Sequence, residues 1–63
     1  MFNNPECYTE VGRKAAEARN QGDESRAHFH AEWFRRARAY EQGEDKYEAD
    51  RLYHAAYKEA RHV

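Results

Sequence analysis

Gly22-Asp-Glu-Ser-Arg-Ala-His-Phe-His-Ala-Glu-Trp33-Phe-Arg-Arg-Ala-Arg-Ala-Tyr40-Glu-Gln-Gly43-Glu-Asp45 is the stretch whose reading decides the fold of this chain. It opens and closes on a glycine followed by acids, and between them the bulky apolar residues recur at three- and four-residue steps. That periodicity predicts a helix over about 24–41. Gly22 can take the left-handed backbone that stops a preceding helix, and Asp23 can cap the next one. Gly43 repeats the device, with Asp45 as the expected cap of a further helix and Glu48 completing an acidic capping box. Along the stretch, Phe29, Trp33, Ala37 and Tyr40 form one row and Ala27, Ala31 and Phe34 a neighbouring one. A face that wide can meet two partners, so this helix is expected to be the hub.

Working towards the N-terminus, Asn4, Pro5 and Glu6 read as an N-cap, a proline at the first helical position and a first-turn acid. They predict a helix over about 5–20. Its stripe of Tyr8, Val11, Ala15 and Ala18 is thin, and Gly12 costs about 1 kcal/mol relative to Ala in a helix interior. This helix is expected to be the shortest and least stable. Towards the C-terminus, Ala49, Leu52, Tyr53, Ala56, Ala60 and Val63 make a stripe over about 45–62 whose small residues allow a facing backbone to come close. No segment alternates as a strand would. The expected class is therefore all-α: one small domain over 1–63, built as an antiparallel helical hairpin of 24–41 and 45–62, with the helix 5–20 across it or against a second copy. On the outer faces Glu10 precedes Arg13 and Lys14, Glu32 precedes Arg35 and Arg36, and Glu48 precedes Arg51, a ladder that supports helices.

Composition narrows the function classes. The chain has 63 residues, with eleven Lys plus Arg against twelve Asp plus Glu for a formal charge of −1. There is thus no overall field to draw it to nucleic acid or anionic lipid. Low Leu, Ile, Val and Phe content can mark disorder, but that signature also requires a large net charge. The single cysteine, Cys7, excludes an intramolecular disulfide and fits a reducing cytoplasm. No apolar run is long enough for a signal peptide or a membrane span. Large aliphatics are nearly absent, so the apolar payload falls to one Trp, three Phe and five Tyr. These are more rings than a hairpin of this size can enclose. Some of Tyr8, Phe29, Tyr40, Tyr47, Tyr53 and Tyr57 are expected at the surface of a monomer, where a second chain would cover them.

Two resemblances bear on the fold and role. Ala18-Arg-Asn-Gln-Gly22-Asp and Ala39-Tyr-Glu-Gln-Gly43-Glu, followed by Tyr47 and Leu52-Tyr-His-Ala-Ala56, resemble the turn and second helix of a tetratricopeptide hairpin. The glycines lie 21 positions apart, however, against the ~34 of that family, so a repeat array is not expected. Across the whole chain, the opening Met1-Phe-Asn-Asn-Pro-Glu-Cys-Tyr8 and the closing Arg51-Leu-Tyr-His-Ala-Ala-Tyr-Lys-Glu-Ala-Arg61 resemble the small 63-residue proteins of the exo–xis early region of lambdoid phages. That resemblance implies an early phage accessory protein acting in the bacterial cytoplasm on host physiology or the lysis–lysogeny choice, without catalysis. It supplies no binding residues.

Candidate chemistry can be weighed residue by residue. Glu24, His28 and Glu32 share a helical face, as do His54, Lys58 and His62, but zinc needs three or four convergent ligands and Lys58 repels a cation. Solvated histidines are the simpler reading, and no metal or cofactor is expected. Cys7 has no motif pairing it with a base. Glu41, Glu44, Asp45, Glu48 and Asp50 crowd the second turn, read as a solvated acidic loop because so small a chain has no cleft to desolvate them. Arg35, Arg36 and Arg38 could grip phosphates, although cations at a helix C-terminus are favoured by the macrodipole alone. Trp33 is read first as a core ring. Beyond that, Phe29, Trp33, Phe34, Tyr40, Leu52, Tyr53 and Tyr57 are the residues expected to form a dimer or partner interface, because Tyr, Trp and Arg dominate protein interfaces. The function expected is a non-enzymatic interaction protein, homodimeric and binding a host protein. The alternative is a small helical nucleic-acid-binding accessory using Arg35, Arg36 and Arg38.

Overall fold

The computed structural model describes residues 5–61, and all of its regular structure is helical: α1 (Pro5–Asn20), α2 (Glu24–Ala39) and α3 (Glu44–Ala60). The expected Asn4 cap and the expected parts played by His62 and Val63 lie outside the described residues. The first turn is built as the sequence demands. Gly22 sits at φ 78°. The Asp23 N–H donates to the Ala18 carbonyl at 2.9 Å and the Gly22 N–H to that of Arg19 at 3.0 Å, the paired bonds of a Schellman motif. Asp23 then caps α2, its Oδ1 accepting from the Arg26 N–H at 3.0 Å.

The second turn departs from expectation. α2 stops at Ala39, two residues short of 41, and α3 begins at Glu44. Gly43, at φ 58°, occupies the N-cap position with no side-chain cap, so Asp45 lies inside the helix and Glu48 pairs with Arg51 instead of closing a capping box. The reason is local. The Tyr40 and Glu41 N–H groups tighten the end of α2 by donating to Ala37 and Arg38, which leaves Gly43 as the residue able to make the reversal.

α1 holds the centre of the molecule. Its C-terminal end meets that of α3, where the Asn20 Nδ2 donates to the Ala60 carbonyl at 2.9 Å. Its N-terminal end meets the turn before α3, where the Tyr8 hydroxyl donates to the Glu41 carboxylate at 2.5 Å. α1 and α3 therefore run parallel. α2 runs antiparallel to α1, with Glu24 beside Arg19 at one end and Trp33 and Phe34 against Tyr8 at the other. Both α2 and α3 pack mainly on α1 and meet each other over a short stretch. The hub expected of the second helix is thus the first, which is as long as α2 at 16 residues.

The reason lies in the small residues of α1. Gly12, Ala16 and Asn20 share one face at four-residue steps, and a β-carbon at Gly12 would lie 3.2 Å from the Tyr53 carbonyl carbon and Cα and closer still to the carbonyl oxygen. The helix weakness assigned to Gly12 is real in isolation, but here it lets two backbones touch. On the adjoining face Tyr8, Val11 and Ala15 join Phe34, Ala49 and Tyr53 in the core, with Ala37, Leu52 and Tyr57 packed against it. Phe34 stacks on Tyr53 at 3.9 Å between centroids, and Tyr8 meets Phe34 edge-on at 5.9 Å. Arg38 and Asp50, 2.6 Å apart, tie α2 to α3.

Two substitutions test this arrangement. Gly12→Ala would stabilise an isolated helix, but in this chain it is expected to destabilise by about 1–3 kcal/mol, because rigid backbone would have to move. Urea denaturation followed by circular dichroism reads the sign. Tyr8→Phe removes the donor facing a buried carboxylate and is expected to cost about 1–3 kcal/mol by the same measurement.

Candidate functional site: an exposed aromatic face on α2

The two apolar rows of α2 meet different fates. Ala27 and Phe34 are buried against α1 and α3, with Ala31 half-buried beside them. In the other row Ala37 touches the core, whereas Phe29, Trp33 and Tyr40 are 64%, 42% and 83% exposed. Trp33 is therefore not the core ring it was expected to be. The buried place opposite the α1–α2 seam is taken by Tyr8, whose α1 neighbours are small enough to let it in. Of the remaining expected interface residues, Phe34 and Tyr53 belong to the core, and Leu52 and Tyr57 are half-buried at its edge. Tyr47, on α3, is 76% exposed.

Between α1 and α2 lies an open apolar groove of about 300 Å³, walled by Cys7, Val11, Phe29 and Trp33, with Glu10, Lys14 and His30 also along its lining. Cys7 is exposed. A second groove of about 450 Å³ separates the outer edges of α1 and α3, with Leu52, Ala55 and Ala56 along its floor and the Arg13–Glu17 pair on its rim.

The charged groups are largely paired. Arg35 holds Glu32 at 2.9 Å and keeps its carboxyl below the ordinary range by hydrogen bonding, and Arg51 does the same for Glu48. Lys14 reaches Glu10 at 4.0 Å. Arg13 turns to Glu17 at 3.1 Å, not to Glu10. Of the three arginines considered for phosphate contact, Arg35 and Arg38 are in ion pairs with Glu32 and Asp50, while Arg36 is exposed and makes no ion pair among the described residues. At the other end of the molecule Arg19 donates to the Tyr57 hydroxyl at 2.8 Å and lies 5.9 Å from its ring centre. Burial pushes the Tyr53 hydroxyl above its ordinary pKa.

Sequence reasoning missed Glu41. Placed in a solvated acidic loop, it is instead 2% exposed, beneath the turn and against Tyr8. No spacing rule marks it, because its partner lies 33 residues away. Among the described residues no group of three or more His, Cys, Asp or Glu could hold a metal ion, and no helix is long and apolar enough to cross a membrane. His28 and His54 are exposed, and His30 is half-buried. In comparisons with known proteins, no family model, curated protein or solved structure matches the chain at a significant level.

His30 gives this face a pH dependence. Burial first, and then the positive charges of Lys14 and Arg26, lower its pKa below the ordinary 6.5. A base depressed in the folded state adds stability that is present above the unfolded pKa and is lost as pH falls through the folded value. The thermal midpoint is therefore expected to drop between neutral pH and pH ~5, a window set by the ordinary histidine pKa. Part of that drop should vanish in His30→Gln, read as the difference between the two proteins' midpoints across the range.

Proposed function

We propose that this chain is a non-enzymatic helical interaction protein that associates as a homodimer and acts by binding a host protein. The observation that carries the reading is the exposure of Phe29 and Trp33 on α2 and of Tyr40 at its C-terminal cap, while Tyr8, Phe34 and Tyr53 supply the rings of the core. Large rings left in water on so small a domain are the kind of surface that partners cover. Aromatic and arginine side chains are the residue types that concentrate binding energy, and Arg36 stands among these rings with its charge uncommitted to any ion pair of the described residues.

The likeness of the two ends of the chain to the small early proteins of the lambdoid exo–xis region supports a setting in the cytoplasm of an infected bacterium. There the protein would modulate host physiology or the lysis–lysogeny decision as a regulator. Phosphate binding through Arg35, Arg36 and Arg38 is the weaker reading, since Arg35 and Arg38 already hold acids.

Sedimentation equilibrium tests the dimer. The expected result is a monomer–dimer equilibrium within tens of micromolar and a thermal midpoint that rises with concentration. A stable monomer throughout that range would remove the dimer. Affinity capture from a bacterial lysate, with Trp33→Ala beside wild type, tests the host partner. The expected outcome is one protein retained by wild type, insensitive to nuclease and lost with the ring.

A further inference from the structure

The exposed face of α2 has a symmetry of its own. Phe29, Trp33 and Arg36 of α2, and Tyr40 at its C-cap in helical backbone, stand at steps of four, three and four residues, so at 100° per residue they fall within about 60° of one another and run about 16 Å along the axis. Phe34 and Ala27, which anchor α2 to the rest of the protein, lie on the opposite side. The stripe reads the same in both directions: an outer ring, an inner residue, an inner residue, an outer ring. A helix carrying such a pattern can pair with a second copy of itself.

We infer that α2 forms the two-fold interface of the dimer, antiparallel to its counterpart, with the axis passing between positions 34 and 35. This deepens the homodimer reading and depends on it. In that register Phe29 packs on Tyr40 of the partner subunit, and Arg36 lies over Trp33 of the partner subunit. Because the contact is isologous, each pairing occurs twice. The inner pairs place a guanidinium against an indole face, the favoured cation–π combination, and Arg36 is the arginine of its cluster that no ion pair of the described residues holds back. The outer pairs stack ring on ring.

Charge selects this arrangement over its rivals. In a parallel pairing the two copies of Arg36 would face each other and repel. In the antiparallel one, the chain leaving Tyr40 for the acidic turn of Glu44 and Asp45 comes opposite the exposed Arg26 of the other subunit, which already pairs with its own Asp23 at 3.6 Å. A foreign amphipathic helix could meet the same rings, but it would lack this built-in match of position to partner. Cys7 and Val11 of α1 line the groove that Phe29 and Trp33 also wall, so α1 borders the seam.

Two readouts test the register. Arg36→Glu alters an exposed position, so circular dichroism should show unchanged helix content while the dimer dissociation constant rises by about tenfold or more, as expected for a hot-spot arginine. In a Cys7→Ser background, proteins carrying Phe29→Cys and Tyr40→Cys should form a disulfide-linked dimer on mild oxidation when mixed, and little when each is oxidised alone. Cross-linking of each variant to itself, or an undiminished dimer in Arg36→Glu, would overturn the register and leave the homodimer standing. A wild-type chain that stays monomeric would overturn the homodimer and the register with it.

Discussion

Everything else in the structure depends on the contact between Gly12 and the backbone of Tyr53. With no β-carbon in the way, α1 approaches α3 until the peptide group of Tyr53 lies against it. Parallel helices have no short loop to hold them together, so their pairing rests on the contacts they make, and here α2 and two turns intervene between the paired helices. The approach at Gly12 brings Asn20 to the Ala60 carbonyl at one end and Tyr8 to Glu41 at the other. It also forms the trough into which Tyr8, Phe34 and Tyr53 stack. Dispersion and burial then act on rings held at van der Waals distance, which is where a chain with a single leucine must find its cohesion.

Much aromatic surface stays outside that core. A core built on glycine and alanine is thin. It encloses Tyr8, Phe34 and Tyr53, accepts Leu52 and Tyr57 at its margin, and leaves Phe29, Trp33 and Tyr40 outside it. Phe29 and Trp33 stay exposed along the open groove between α1 and α2, and Tyr40 just beyond the end of α2.

Much of the local structure was legible before the fold was seen. The three helices, the stop at Gly22 and the cap at Asp23 follow from rules that act within a few residues, and they are realised bond by bond. The second turn was less legible, because Gly43 could serve either as the end of one helix or as the start of the next. The hub was assigned to the wrong helix. Bulk on α2 suggested a centre, yet a centre needs neighbours on several sides, and small residues permit that better than large ones. The exposed aromatic surface was legible as a surplus, but not as a set of positions. Phe34 and Tyr53 look no different from Phe29 and Tyr40 in sequence; only the packing of all three helices decides which rings are covered.

The sequence by itself determined the class, the helix limits to within two residues at the turns, and the fact that rings would exceed the room available, because caps, periodicity and composition are local or summed quantities. The tertiary structure alone decided that α1 lies at the centre, that Glu41 is buried beneath a turn, and that Trp33 faces solvent. These depend on a close approach between residues 41 positions apart, set by the missing β-carbon of Gly12 and the Tyr53 backbone that comes to lie against it, a pairing that neither helix reveals alone.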